Sequence, residues 1–161
     1  MQPITLSQAQ SLNSPNPFVL VTSHDGDKTN VMGASWWTYL SNNPPMLAMA
    51  LGKKGHTSGC IAASGYFTVC LPDVSIAEQA MNCCKTSGRD TDKVAKFGLE
   101  MVQLEPEFPE AVKESQVIFL CKLDQIVDVP GHNLIIGNIL HVYGDPTKQH
   151  LNAYEGYKAL R

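Results

Sequence analysis

Along this chain the apolar residues fall into short runs separated by turn-forming residues, a rhythm of strands more than of helices. Phe18 to Ser23 (FVLVTS) is rich in β-formers and ends at His24-Asp25-Gly26-Asp27, with glycine where a turn needs freedom. Thr29 to Leu40 is predicted to return as a second strand, completing a hairpin. Asn42 to Pro45 breaks it, and Met46 to Leu51 follows as a third strand so apolar that both faces are expected to be buried. Gly55 to Ala63 has small residues at helical spacing, with Thr57 or Ser58 as the expected N-cap and Gly65 as the stop. Tyr66 to Leu71 (YFTVCL) is a fourth strand, ended by Pro72.

Ser75 to Lys85 is predicted to be helical, with Ile76, Ala80, Met81 and Cys84 along one side. A polar loop, Thr86 to Lys93, leads to a helical turn over Val94 to Phe97 before Gly98. Glu105 to Glu114 is proline- and glutamate-rich and predicts a loop or a short helical excursion. Two long strands complete the pattern. In Val117 to Val129, residues Val117, Phe119, Cys121, Leu123, Val127 and Val129 are placed on one face, and Lys122, Asp124 and Asp128 on the other. Pro130-Gly131-His132-Asn133 is the predicted turn, and Leu134 to Tyr143 returns antiparallel. The last residues, with Tyr154 and Tyr157, are expected to form a terminal helix or arm. About six strands without regular helical crossovers predict a mainly β fold, an antiparallel barrel decorated by short helices. No GxGxxG follows a strand, so a Rossmann sheet is not indicated.

With 161 residues, 43% hydrophobic and 17% charged, the chain suits one globular domain spanning 1–161. A net charge of −3 without a basic stripe gives no expectation of nucleic-acid binding. No run is long enough for a membrane span and no secretory leader is visible, so a cytoplasmic location is expected. Five cysteines argue against a closed disulfide framework. Cys60, Cys70 and Cys121 read as small buried hydrophobes, and the adjacent Cys83 and Cys84 are poorly placed to bridge. The Cys/His spacing matches no zinc motif, and no metal is expected.

Candidate chemistry concentrates between Thr29 and Ser58. Gly33, Ala34 and Ser35 leave backbone open just before Trp36 and Trp37, where a planar ring can approach. Lys53, Lys54, His56, Thr57 and Ser58 then supply donors suited to a phosphate. A flat ring followed by a phosphate is the outline of FMN.

Five blocks in order, NPFVLVTS, NVMGASWWTYLSNNPP, GKKGHTS, SGRDTDK and GHNLIIGNI, resemble the flavin reductase-like family and, within it, the flavoredoxin branch. The resemblance runs from Pro17 to Tyr143 and implies the FMN-binding split β-barrel, a six-stranded antiparallel Greek-key barrel. It implies flavin contacts at Asn30, Met32, Ala34, Ser35, Trp36 and Leu51. Lys53, Thr57 and Ser58 fall at the phosphate end. Lys93 matches a cationic contact, and His132 matches the histidine of the late hairpin, a catalytic candidate near the polar edge of the ring. The C-terminal aromatic that closes over the flavin in this branch has a loose counterpart in Tyr154 or Tyr157.

The implied activity is that of an FMN-bound oxidoreductase in a homodimer, taking electrons from NAD(P)H or a redox partner protein. A carrier without nucleotide turnover is the alternative, and a flavin-free binding module a more distant one.

Overall fold

In the computed structural model, which describes residues 2–154 and the backbone of residues 158–160, the apolar runs become strands of one large antiparallel sheet. The chain enters through helix α1 (Leu6–Leu12) and the short strand β1 (Asn16–Pro17). It continues as β2 (Val19–Asp25), β3 (Lys28–Ala34), β4 (Trp37–Asn42) and β5 (Pro45–Gly52). Helix α2 (His56–Ser64) leads into β6 (Tyr66–Pro72), followed by α3 (Ala77–Asn82) and α4 (Lys93–Phe97). A small hairpin of β7 (Met101–Val102) and β8 (Ala111–Val112) precedes β9 (Ser115–Val129) and β10 (His132–Gly144). Strand β11 (Asn152–Tyr154) pairs with β1 and with β12 (Lys158–Leu160).

The main sheet has seven strands in the order β3-β2-β6-β9-β10-β5-β4. Its two edge strands, β3 and β4, are consecutive in the chain and separated only by Ser35 and Trp36. Such a sheet must curl until its edges meet, which makes a barrel. The expected count of six becomes seven because the stretch predicted as one strand, Thr29 to Leu40, divides at Ser35-Trp36. Its first half pairs with β2 and its second with β5, and Ala50 N–H donates to the Trp36 carbonyl at 2.9 Å to pin the crossing.

Alternating side chains build two cores. Val19, Val21, Leu47, Met49, Phe67, Phe119 and Ile135 fill the barrel interior, while Phe18, Leu20, Cys70 and Leu120 pack outward under Ala80, Met81 and Phe108. One predicted face is wrong beyond Leu123. The pairing with β10 slips there, so that Ile136 opposes Gln125 but Gly137 opposes Leu123. The extra residue, Asp124, is a β-bulge and reverses the alternation. Ile126 therefore packs against the interior cluster and Val127 is exposed.

Other boundaries also move. The N-cap of α2 is Gly55, so Thr57 and Ser58 lie inside the first turn, and Gly65 ends the helix in the left-handed conformation at φ 76°. The helix predicted over Ser75 to Lys85 is a 3₁₀ turn, Val74–Ile76, followed by the short α3. The β9–β10 turn is Pro130-Gly131 alone, with Gly131 at φ 80°, and His132 and Asn133 are already in β10. Tyr154 ends a strand rather than lying in a helix, and Tyr157 lies outside the described residues. Helix α1 was not foreseen, although Thr5 and Gln8 form a full capping box.

Candidate functional site

The crossing from β3 to β4 sets the first half of the site. Trp37 turns inward: its Nε1–H donates to the Pro17 carbonyl at 3.2 Å, and its ring packs edge-on against Tyr39. Trp36 is left facing outward, 53% exposed, over a cavity of about 270 Å³. Met32, Ala34, Ser35, Leu51 and His132 share that lining, so six of the residues singled out from sequence meet here. His132 is brought in from the opposite side because β10 begins directly opposite Gly52. Its ring centroid lies 5.2 Å from that of Trp36, tilted by 35°.

Close approach at Gly33 narrows the same cavity. A methyl group on Gly33 would collide with Cys84 Sγ and come within 2.7 Å of Phe18 Cζ. Cys84 thus forms part of the floor. It also lines a second cavity of about 350 Å³, shared at Met32 and Cys84 with the first. The two together make a trough, with the apolar side chains Trp36, Met32 and Leu51 at one end and polar side chains at the other.

The polar end is built on the start of α2. Gly55 offers no capping side chain, so the first backbone N–H groups of this nine-residue helix receive no side-chain cap. Lys54, Thr57, Ser87, Gly88 and Lys93 line the space in front of them. Thr57 is buried, and its Oγ1 accepts from Asn30 Nδ2 at 2.8 Å; Asn30 also donates to Ser23 Oγ at 3.3 Å. Asn30 therefore aligns the helix start against β3. Lys93 is only 5% exposed and donates from Nζ to the Cys83 carbonyl at 2.9 Å. Burial pulls its ammonium below the ordinary lysine value. The neighbouring thiols move the other way: desolvation pushes Cys83 up to about 11 and Cys84 up to about 12, so both are protonated thiols at neutral pH.

Besides Asn30, whose amide is bonded to Thr57 and Ser23, two expected residues do not line this trough. Lys53 pairs with Asp128 on β9, on the far side of the turn, and the lysine at the polar end is Lys54. Consecutive residues of a tight turn point apart, and the sequence alone did not say which lysine faced inward. Ser58 is buried, and its Oγ accepts from Asn133 Nδ2 at 2.8 Å, which ties α2 to β10. Residues at the trough that were not among the expected site residues include Cys84 and Gly88, and Arg89 stands beside them. A methyl on Gly88 would collide with Asn30 Oδ1, so glycine lets the SGRDTDK loop close onto β3. Arg89 Nη2–H donates to the Lys54 carbonyl at 2.8 Å and fixes that loop to the α2 lead-in.

The donor set fits a flat, partly apolar ring joined to an anion. Trp36, Met32 and Leu51 offer apolar surface, and the thin Gly33-to-Ser35 backbone offers an edge for polar ring atoms. An uncapped helix start with a lysine beside it favours negative charge.

Residues 12–161 match the family model described as the flavin reductase like domain. An uncharacterized protein of Archaeoglobus fulgidus is 32% identical over 123 residues, 76% of this chain and 70% of that protein. The flavoredoxin of Desulfovibrio vulgaris superposes with a TM-score of 0.82 at 26% identity, covering 95% of this chain and 88% of that one. The NADH:FAD oxidoreductase SgcE6 of Streptomyces globisporus shares the fold, with a TM-score of 0.85 at 16% identity over 100% of this chain and 95% of its own.

Proposed function

This chain belongs to the flavin reductase-like family, and from that premise we propose that it binds FMN in the trough and passes electrons through it as an oxidoreductase. The observation that carries the reading is the pairing of two ends in one cleft: the Trp36–His132 wall and the uncapped start of α2, with Met32 and Cys84 common to both. Bound flavin supplies the electron chemistry, accepting reducing equivalents from NAD(P)H or a protein donor and passing them on.

The protein's own contribution is placement and electrostatics. Trp36 shields one face of the ring and excludes water there. Thr57 and the α2 N–H groups hold the phosphate, with Lys54 neutralising charge beside them. Asn30 keeps Thr57 in place. His132 donates a hydrogen bond at the polar edge, where negative charge develops on reduction. Cys84, protonated, is a small polarizable neighbour and not a nucleophile.

A homodimer is part of this proposal. Trp36, Tyr39 and Leu40 are large apolar side chains exposed at or beside edge strand β4, a surface suited to a second copy. Light scattering is expected to give twice the chain mass, and Leu40→Asp to shift it toward the monomer.

The deciding experiment is a visible spectrum of the purified protein with added FMN, before and after anaerobic NADH or NADPH. Flavin bands that bleach promptly support the reductase. Bands that bleach with dithionite only favour an electron carrier, the second reading, which rests on the similarity to the Desulfovibrio flavoredoxin. A protein that takes up no flavin at all overturns both.

A further inference from the structure

We propose that Asp25, His56 and Cys60 form a site for a divalent cation of the zinc class, with three protein ligands and one open position. The site shares His56 with the polar end of the trough, but none of its argument rests on the flavin reading. Asp25 is the last residue of β2, His56 the first of α2, and Cys60 lies one turn later on the same helix face. His56 Nε2 is 2.8 Å from Asp25 Oδ2 and 3.6 Å from Cys60 Sγ, and all three ligand atoms lie within 4.8 Å of one another.

These spacings suit a metal better than a simple ion pair does. A His–Asp hydrogen bond explains two residues, but not a sulfur held against the same imidazole nitrogen. Zinc bonds of about 2.0–2.3 Å put tetrahedral ligand atoms roughly 3.3–3.8 Å apart, so a shift of the Asp25 carboxylate by about an ångström seats the ion. The mixture of thiolate, imidazole and carboxylate also selects by chemistry: calcium and magnesium take oxygen ligands, whereas zinc accepts all three types. Two ligands are held on one helix and the third on the adjoining strand end, which limits the rearrangement needed.

The fourth position opens outward. Gly26, Gly59 and Ala63 line a surface cavity beside the three ligands, and among the described residues no atom outside their own local backbone lies within 4 Å of where a side chain on Gly26 or Gly59 would begin. Lys53 and Arg89 stand at its rim, so water, hydroxide or a small anion completes the shell. Behind the ligands, Ser23 is within hydrogen-bond reach of Cys60, and its Oγ accepts from Asn30.

On binding, the Cys60 S–H bond breaks, its proton passes to solvent and the thiolate bonds to the ion. The proton that His56 Nε2 donates to Asp25 moves by way of solvent to Nδ1, which frees Nε2 for the metal and exchanges the His56–Asp25 hydrogen bond for a metal bond from each residue. No electron moves. The sequence hid the site because Asp25 lies 31 residues before His56 and no paired Cys-x-x-Cys marks it.

The test is an anaerobic titration of the reduced full-length protein with Co²⁺, read by ligand-field absorption at red wavelengths, clear of any flavin band. The expected result is intense tetrahedral absorption saturating at one ion per chain and abolished by Zn²⁺. It should be lost in Cys60→Ala and His56→Ala but kept in Cys84→Ser. Absence of that absorption at one equivalent, or its survival in Cys60→Ala, overturns the proposal. Asp25→Asn provides a second measurement at a half-exposed position in case Cys60→Ala does not fold. Cobalt affinity is expected to fall by more than about tenfold, and unchanged affinity also overturns the site. The readout is the same with or without bound flavin, so it succeeds or fails apart from the flavin reading.

Discussion

Trp36 and His132 face one another across the apolar end of the trough, ring centroids 5.2 Å apart, although they are far apart in sequence. Two features bring them together: the break between β3 and β4, and the start of β10 opposite Gly52. The pair should therefore have divided roles. Trp36→Ala removes an aromatic face and is expected to weaken FMN binding by about tenfold, the scale of one aromatic contact. His132→Ala is expected to change affinity less but to lower the flavin reduction potential, because a donor to the reduced ring is gone. Fluorescence titration and a potentiometric titration separate the two effects. Unchanged potential in His132→Ala would remove its assigned role.

The two lysines of the GKKGHTS segment make a sharper test. Lys53 is paired with Asp128, whereas Lys54 lines the polar end. Lys54→Ala is expected to weaken FMN by about tenfold, the scale of a charge-assisted contact, and to leave riboflavin affinity unchanged. Lys53→Ala should affect neither ligand. Equal losses for FMN and riboflavin in Lys54→Ala would mean that the lysine does not meet the phosphate.

At Gly33 the trough depends on the absence of a side chain. An added methyl meets Cys84 Sγ and the Phe18 ring, both held by the outward core. Gly33→Ala is expected to cost about 1–3 kcal/mol by overpacking, measured by urea denaturation. Combining it with Cys84→Ala should recover part of that loss, since one of the two obstacles is removed. A double variant no better than the single one would place the strain at Phe18 alone.

Much of this architecture was legible because local signals and burial agreed. The hairpin from Phe18, the glycine stop at Gly65 and the long β9–β10 pair follow from alternation and turn residues, and the structure has all three. The two misses in the main sheet share a cause: each depends on pairing that one strand's own residues do not encode. Ser35-Trp36 interrupts a strand because its halves find different partners, and Asp124 bulges because β10 slips against it. At the site, residue types pointed to a ring and an anion, and six of the named residues line one cavity. Which of Lys53 and Lys54 turned inward, and that Cys84 and Gly88 pack against β3, required the tertiary arrangement.

Acid should lower the protein's stability in two steps, set by the half-buried His150 and the buried Asp73, which close the same seam. His150 Nε2 lies 2.6 Å from the Phe18 carbonyl, and Asp73 accepts from the backbone N–H groups of Ser75 and Gln149 at 2.9 and 2.6 Å. Burial holds the His150 imidazole below its ordinary value of 6.5, so the unfolded chain takes up that proton more readily than the native one. Its contribution is complete above pH 6.5 and declines as the pH falls below that value. Hydrogen bonds from Ser75, with help from Gln149, hold Asp73 below its ordinary 3.8, so its contribution is complete above pH 3.8 and is lost in stronger acid. Denaturation free energies measured at about pH 7, 5 and 3 should step downward twice in the native sequence. His150→Gln should remove the first step. Asp73→Asn should lower stability by about 1–2 kcal/mol at neutral pH and remove the second, because an amide no longer gains from ionisation. A native-sequence profile flat from pH 7 to about pH 5 would show that His150 is not the group that opens this seam.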